Sequence, residues 1–309
     1  MVLVLGPTGS GKSGLAIQLA LEFNGEIVNC DSQQVHRLLN IGTAKLPVEE
    51  RRGVPHHLMD VADPEEVFSA GEYGRRARLV LDEIRERGPV PIVCGGTGFY
   101  VRALLEGLFE GPPRNEALRS ELMKREARRP GFVHRFLRRR DRESAERIHA
   151  NDVQKTVRAL EVSIAAQAPM ASLFGQTEQP LTGFRWLKLG LDPPREALYA
   201  RIDARCEQMF QQGLIEETRA LLERGYTRET NAMESIGYRQ SIDVIEGRTS
   251  LPEALADVQM ETRRYAKRQL TWFRRDAETH WLKGFGDDPS AAEDAFRLVR
   301  EHLGSTTGH

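Results

Sequence analysis

The feature that most constrains this chain is a glycine-rich stretch that follows the apolar run Val2–Leu5. Its residues are Gly6, Pro7, Thr8, Gly9, Ser10, Gly11, Lys12 and Ser13. They match G-x-x-x-x-G-K-[ST], in which glycines let the backbone curl until its N–H groups face an anion. The apolar run predicts a buried strand, and the residues after Ser13 predict a helix. Lys12 adds a charge and Ser13 a hydroxyl for Mg²⁺, so we expect the loop to hold a di- or triphosphate.

Strand-like and helical patterns alternate in the first part of the chain. Predicted strands lie at Val2–Leu5, Glu26–Cys30 and Val90–Cys94, with a helix near Tyr73–Glu86 before the third. Strands separated by helices predict an α/β fold with a parallel sheet and flanking helices. Ligands of such sheets bind at the carboxyl ends of the strands, so we expect the chemistry there.

The composition changes after Gly111 to helical sequence rich in Arg and Glu. We interpret residues 114–183 as a mostly helical insertion domain, and Phe184–Leu191 as a strand that returns to the parent sheet. From Arg195 onward the pattern is helical. The predicted catalytic core is therefore 1–113 together with 184–309, the latter supplying C-terminal helices.

The net charge of −1 hides a strong segregation of charge. Residues 114–158 contain 14 Lys and Arg against 7 Asp and Glu, and residues 262–275 contain six basic residues and no acidic one. One basic face on an otherwise acidic body is typical of proteins that bind nucleic acid. Basic helix faces exposed to solvent are the alternative explanation.

Two strand ends offer chemistry beside the loop. Asp31 ends the second strand and can act as a general base, hold Mg²⁺ or its water, or simply cap a helix. Thr97 lies in the turn Gly95–Gly98 after the third strand, where it offers an uncharged hydroxyl; the turn is also explained as an ordinary strand-to-helix connection. A simple NTPase would more often have an Asp there, so its absence weakens that interpretation.

The remaining signals are weaker. Cys30, Cys94 and Cys206 lack metal-ligand spacing, and His56–His57 predict loop or packing roles, because adjacent side chains of an extended segment point apart. No apolar run is long enough to span a membrane and the loop begins almost at Met1, so we expect a cytoplasmic protein.

A helical segment near the C-terminus separates two kinds of side chain. Arg263, Lys267 and Arg274 fall on one face, while Ala266, Leu270 and Phe273 fall on another. The apolar face could pack on the body of the protein while the basic face meets phosphates, with Trp272 available for stacking or for the core.

These strings together resemble the bacterial tRNA dimethylallyltransferases, also called tRNA isopentenyltransferases. The matching strings run in family order from residue 6 to 274. Besides the loop they are Asp31-Ser32 with Gln34, Ile41–Lys45, Val54–Leu58, Gly95–Gly98 with Tyr100, Asn151-Asp152, Gln154 with Arg158–Val162, Glu234–Tyr238, Thr262–Gln269 and Thr271–Arg274.

The resemblance implies a P-loop NTPase-like sheet and transfer of a dimethylallyl group from its diphosphate to N6 of adenosine 37, beside the tRNA anticodon. It implies that Mg²⁺, held by Ser13, assists as cofactor, that Lys12 and the loop bind the diphosphate, that Asp31 is the base, and that Thr97 lies at the reaction channel. Arg201 and Arg205 could help to hold the diphosphate.

The same resemblance implies contacts with the anticodon stem-loop of tRNA. The implied residues are Asp31, Ser32, Gln33, Gln34, Thr97, Arg119, Gln154, Lys155, Thr156, Val157 and Arg158. Gln33, His36 and Lys155 depart from the family's usual Met, Tyr and Arg, and Lys155 loses the bidentate geometry of arginine. We expect a monomer that does not bind membranes.

Two other functions fit the loop and Asp31. A small-molecule kinase would transfer the γ-phosphate of ATP and has little need for two basic regions. An RNA-binding nucleotide switch would show nucleotide-dependent RNA affinity without a product, although the N-K-x-D string of guanine-specific GTPases is absent.

Overall fold

A single all-parallel sheet forms the centre of the computed structural model, which describes residues 1–108, 111–112, 114–173 and 179–304. The strands are β1 (Val2–Leu5), β2 (Gly25–Asn29), β3 (His56–His57), β4 (Val90–Gly95), β5 (Leu187–Asp192) and β6 (Thr279–Lys283). Their order across the sheet is β3-β2-β4-β1-β5-β6. Each neighbouring pair runs parallel, which confirms the predicted fold class.

The helices of the larger of two compact units surround this sheet. That unit comprises residues 1–104 and 181–309. Its helices are α1 (Lys12–Glu22), α2 (Ala70–Arg87), α3 (Gly98–Leu105), α9 (Arg195–Gln211), α10 (Leu214–Glu223), α11 (Tyr238–Ile245), α12 (Leu251–Phe273) and α13 (Pro289–Gly304), with 3₁₀ turns at Val48–Arg51 and Asn231–Glu234.

Both faces of the sheet are buried, as expected of parallel strands that read as continuous apolar runs. Val2, Val4 and Leu189 pack on one face with α1 and with the small residues of α13, such as Ala295. Leu3, which alternates with them along β1, is equally inaccessible. Every residue of β1 is therefore committed to the core, and the glycine loop that follows leaves the sheet at its carboxyl edge.

The second unit, residues 105–180, is helical. Its helices are α4 (Glu116–Arg128), α5 (Phe132–Arg140), α6 (Arg142–Arg147), α7 (Val153–Ala165) and α8 (Met170–Leu173). Asn115, Asp141 and Asp152 cap α4, α6 and α7 by accepting backbone N–H groups. A core that includes Leu137 and Leu160 holds the helices together.

The smaller unit spans residues 105–180, whereas the predicted insertion spans residues 114–183. Pro113, the last residue before the predicted insertion, lies outside the described residues. That residues 114–183 form a domain of their own stays a prediction.

Two strands were not predicted. β3 is only two residues long and pairs with β2, and β6 lies within the segment after Arg195 that we interpreted as helical throughout. That interpretation is wrong for residues 279–283, which pair with β5 along their whole length. The strand predicted from Phe184 begins at Leu187 instead.

Candidate active site

The glycine loop connects β1 to α1 at the carboxyl edge of the sheet. Gly9 and Gly11 both have a φ of 82°, a conformation that side chains other than glycine rarely adopt. Gly11 caps α1 without any side-chain hydrogen bond, so the first turn of α1 keeps N–H groups available to an anion. The local geometry is that of an anion-binding helix terminus.

Three side chains add positive charge or a hydroxyl at this loop. Lys12 donates from Nζ to the carbonyl oxygen of Pro7 at 3.3 Å, and burial lowers the pKa of its ammonium. Arg205 of α9 donates to the hydroxyl of Thr8, and burial lowers the pKa of its guanidinium as well. Ser13 is exposed at the start of α1.

Asp31 follows β2, and its two carboxylate oxygens differ. Oδ1 accepts the backbone N–H groups of Gln33 at 2.9 Å and of Gln34 at 3.5 Å. Within the described part of the chain, Oδ2 makes no hydrogen bond. One oxygen therefore fixes the carboxylate, and the other is left to accept a proton.

Thr97 follows β4 and lies beside Asp31. Its Oγ1 accepts the N–H of Ser32 at 3.0 Å, and its own N–H donates to the carbonyl of Cys30 at 3.2 Å. A Cβ at Gly95 would collide with that same carbonyl, which explains why glycine precedes the turn. The turn after β4 is thus pinned to the turn after β2.

The order of the strands brings these parts together. β4 lies between β2 and β1, so Asp31, Thr97 and the loop follow three adjacent parallel strands and meet at one edge. Lys12 and Arg205 are both close enough to Asp31 for its charge to raise their pKa values, against the larger lowering by burial. The geometry is that of a group-transfer site: an anion cradle next to a base and a hydroxyl.

Two residues of α12 complete the site, and neither was among the predicted site residues. Gln269 hydrogen-bonds to both the loop and the turn after β4, at Thr8 and Gly96. Burial and the nearby Asp31 carboxylate raise the pKa of the Tyr265 phenol. In the sequence, Tyr265 and Gln269 were marked only by their position within the family-like segment Thr262–Gln269. That position does not indicate what their side chains contact.

The outer side of α12 forms an open groove. It is lined by Arg264, Lys267, Arg268, Thr271, Trp272 and Arg275. Trp272 is 40% exposed; it packs over Gly98 and meets the ring of Phe99 edge-on at 6.4 Å. Arg263 pairs instead with Asp203 at 2.5 Å, and Arg274 with Asp192 at 2.8 Å. Of the three cations predicted for the basic face, only Lys267 lines this groove. The other cations of the groove are Arg264, Arg268 and Arg275.

The segment after Asp31 is held by its own loop. Gln34 donates from Nε2 to the carbonyls of Thr43 and Ala44, at 3.1 and 3.3 Å. His36 is buried, with Nδ1 at 3.0 Å from the carbonyl of Asp63, and burial lowers its pKa. His36, one of the departures expected from the family pattern, therefore lies in the interior of the protein.

Two of the predicted RNA contacts of the helical unit, Arg119 and Arg158, pair with Glu161, whose side chain is fully buried. Glu161 Oε2 pairs with Arg119 at 3.3 Å and with Arg158 at 2.7 Å, and Arg119 also donates to Gln154 at 3.1 Å. Thus Arg119 is mainly committed to contacts inside the unit.

The neighbours of Gln154 on α7 divide between core and surface. Thr156 and Val157 are fully buried, and Lys155 is exposed and pairs with Asp152 at 2.6 Å. Of the residues predicted to contact RNA in this segment, only Gln154, Lys155 and Arg158 therefore have accessible side chains.

The described residues contain no group of three or more His, Cys, Asp or Glu side chains that could hold a metal ion. His56 and His57 form β3; His57 hydrogen-bonds Glu26 at 2.6 Å, and His56 lies 2.8 Å from the carbonyl of Val54. All three cysteines are buried, and burial raises the pKa of Cys30 to about 12 and of Cys94 to about 11.

None of the helices in the described ranges has the length and apolar character of a membrane span.

The parallel sheet and the glycine loop define a P-loop protein, and comparison with known proteins agrees. The model of the IPP transferase family matches residues 34–276. The tRNA dimethylallyltransferases of Solibacter usitatus and Koribacter versatilis are 56% and 54% identical; the alignments cover 98% and 97% of this chain and 99% and 98% of those proteins. The chain belongs to the IPP transferase family.

Solved structures give the same result. The full-length tRNA isopentenylpyrophosphate transferase of Bacillus halodurans has a TM-score of 0.71 and 35% identity, over 98% of this chain and 95% of that one. A eukaryotic dimethylallyltransferase, solved acting on tRNA, has a TM-score of 0.84 and 27% identity, over 99% of this chain and 79% of that one. The P-loop NTPase-like fold is thereby confirmed.

Proposed function

We propose that this protein transfers the dimethylallyl group of dimethylallyl diphosphate to N6 of adenosine 37 in tRNA, releasing diphosphate. The observation that carries the proposal is the meeting of the anion cradle, Asp31 and Thr97 at the ends of three adjacent strands. Full-length relatives named tRNA dimethylallyltransferase support the substrate assignment.

The first requirement is to stabilise the leaving group. When N6 attacks C1 of the dimethylallyl group, the C1–O bond breaks and its electron pair goes to the diphosphate. We assign the stabilisation of that charge to the N–H groups at the start of α1, the Lys12 ammonium and the Arg205 guanidinium, which all lie at the glycine loop. Because these donors are held by the fold, they need little rearrangement during the reaction.

Mg²⁺ fits the site as a substrate-bound ion. Mg²⁺ prefers a few protein oxygens together with phosphate oxygens and water, so an all-protein cage is unnecessary. The exposed Ser13 hydroxyl at the start of α1 is the oxygen that the loop offers. When bound, Mg²⁺ would neutralise part of the diphosphate charge.

The second requirement is to remove a proton from N6. Asp31 Oδ2 is free to accept it, while Oδ1 stays anchored by the amides of Gln33 and Gln34. Thr97 can hydrogen-bond the bridging oxygen or the base. An adenine stacked in a loop cannot reach this site, so the nucleotide must be flipped out.

The basic groove on α12 supplies cations and an exposed indole for the RNA. In the helical unit, Gln154, Lys155, Arg158 and the exposed arginines of α5 supply further contacts. We include in the proposal that the protein works as a monomer in the cytoplasm, and that Ser32, Gln33 and Gln34 contact the target base region.

Incubation with Mg²⁺, labelled dimethylallyl diphosphate and unmodified tRNA tests the proposal. We expect label in tRNA that appears as N6-dimethylallyladenosine after digestion to nucleosides. A transcript with guanosine at position 37 is the matched control and should stay unlabelled. No incorporation, alongside rapid phosphate transfer from ATP, would favour the kinase alternative and reject the proposal.

A further inference from the structure

Gln269 joins two parts of the site that are far apart in the sequence. Its Oε1 accepts the backbone N–H of Thr8 at 2.8 Å, and its Nε2 donates to the carbonyl of Gly96 at 2.9 Å. Thr8 belongs to the glycine loop and Gly96 to the turn that carries Thr97. One amide thus ties the anion cradle to the turn beside the base.

The surroundings leave little freedom to this side chain. Gln269 is 5% exposed, so its hydrogen bonds do not compete with bulk water. A Cβ at Gly96 would collide with the Gln269 amide, which means that glycine there makes room for the contact. Thr8 needs an acceptor and Gly96 a donor, and only an uncharged amide or acid of this length supplies both.

We propose that Gln269 is a positioning residue that sets the distance between the diphosphate and the Asp31–Thr97 pair. The loop fixes one side of the breaking C1–O bond, and the turns after β2 and β4 fix the groups that meet the adenine. Ser32 and Thr97 already link those two turns to each other. Gln269 links them to the loop, so its removal disturbs the alignment of the two substrates, not the binding of either one.

The first test compares Gln269→Leu with Gln259→Leu. Gln259 lies on the same helix, and its amide bridges to the Asp203 carbonyl at 3.3 Å and to Glu207 at 3.2 Å, away from the loop. Because misplacement of about 1 Å can cost about 10²-fold in rate, we expect Gln269→Leu to lower kcat by about that factor. The KM for tRNA should change less than about twofold, because the groove residues are unaltered.

The control should retain wild-type kcat, and melting temperatures of both variants identify any general loss of structure. Equal kcat in wild type and a folded Gln269→Leu protein would overturn the proposal. A rise in KM with kcat unchanged would also overturn it, because that pattern belongs to a binding residue.

The second test uses Gln269→Glu and keeps the proposal falsifiable if the Leu variant does not fold. A protonated Glu accepts through C=O and donates through O–H, as Gln does, whereas the carboxylate cannot donate to Gly96. Burial raises the pKa of a carboxyl, so the protonated form becomes populated as the pH falls from 8 towards 5.5. The ratio of kcat for the Glu variant to kcat for wild type should therefore rise as the pH falls over this range.

The charged and titratable groups around position 269, such as Lys12 and Arg205, are the same in both proteins, so the ratio isolates the effect of the substituted residue. A ratio that is flat with pH would overturn the proposal. The inference rests on the proposed function, but different results would reject the function and the role of Gln269. Wild-type protein without any transfer rejects the function, whereas active wild type with unaffected variants rejects only the role of Gln269.

Discussion

At the scale of single residues, Asp31 shows how one carboxylate serves structure and chemistry together. Helix capping and base catalysis were alternative explanations of this residue. Oδ1 accepts two backbone N–H groups and makes the local turn, while Oδ2 has no hydrogen-bond partner among the residues described. The turn is what holds the free oxygen in place, so a structural role and a chemical role are complementary.

Asp31→Asn separates these roles. Asn keeps an Oδ1 that can accept the amides of Gln33 and Gln34, but its amide nitrogen cannot take a proton from N6. We expect kcat to fall by roughly 10²-fold or more while tRNA affinity and the melting temperature stay close to wild type. Single-turnover transfer and filter binding measure the two quantities. Transfer at the wild-type rate would show that another group is the base.

The position of Asp31 was predictable from the sequence, because a polar residue directly after a buried strand marks the ligand edge. The difference between its two oxygens was not, since it depends on the turn geometry. Similarly, the prediction that Arg119 contacts RNA could not account for Glu161, a buried carboxylate on another helix that holds its guanidinium.

At the scale of elements, the basic helices of the insertion divide into paired and unpaired arginines. Arg125 pairs with Glu121, Arg142 with Glu146, and others likewise along their own helices. In the described portion of the chain, the exposed Arg138 and Arg139 on α5 form no ion pair. Lys124 and Arg128 of α4 likewise form no ion pair among the described residues, so unpaired cations lie on both helices, and α5 carries two of them side by side.

Reversal of both charges, Arg138→Glu with Arg139→Glu, should weaken tRNA binding and reduce the salt slope by about one unit for each phosphate that is no longer neutralised. Arg140 is left intact because it bonds Ser163 at 3.1 Å and its replacement would disturb packing. The same reversal at Arg297 and Arg300 of α13 controls for net charge. Binding measured between about 50 and 300 mM salt gives the slope, and an unchanged slope would show that α5 does not touch RNA.

The elements of the sheet centre were predictable, because β1, β2 and β4 are buried on both faces and read as apolar runs. β6 was not, because only Thr279 and Leu282 of its five residues are buried and it lies at the sheet edge. A two-residue strand such as β3 has no periodicity to detect. Edge strands lack the pattern that identifies central ones.

At the scale of the whole molecule, a polar cluster on β2 links three elements of the core unit. Glu26 Oε2 accepts from Arg87 of α2 at 2.6 Å and lies 2.6 Å from His57 of β3. Burial acts to raise the pKa of Glu26, but these hydrogen bonds hold it below its ordinary value. A lowered carboxyl pKa stabilises the fold above the unfolded pKa, and this stabilisation disappears as the pH falls.

Glu26→Gln should therefore lower the free energy of unfolding by about 1 to 3 kcal/mol at pH 7, as expected for hydrogen bonds to a charged group. The difference from wild type should shrink as the pH falls below about 4.3, the ordinary pKa of Glu. Urea unfolding at several pH values measures the difference in the free energy of unfolding between the variant and wild type. Glu72→Gln, which removes a more exposed pair of arginine contacts, should cost less than about 1 kcal/mol. A difference independent of pH would contradict the electrostatic explanation.

The bridge made by Gln269 also bears on how the chain folds. Thr8 and Gln269 are 261 residues apart, and Gly96 and Gln269 are 173 apart. Contacts of such high sequence separation form late, because a long loop must close first. The glycine loop leaves the ribosome well before α12 does, because it precedes α12 in the sequence. A nascent chain thus carries the complete phosphate-binding motif before it holds a finished site, and catalysis can begin only after α12 has been synthesised.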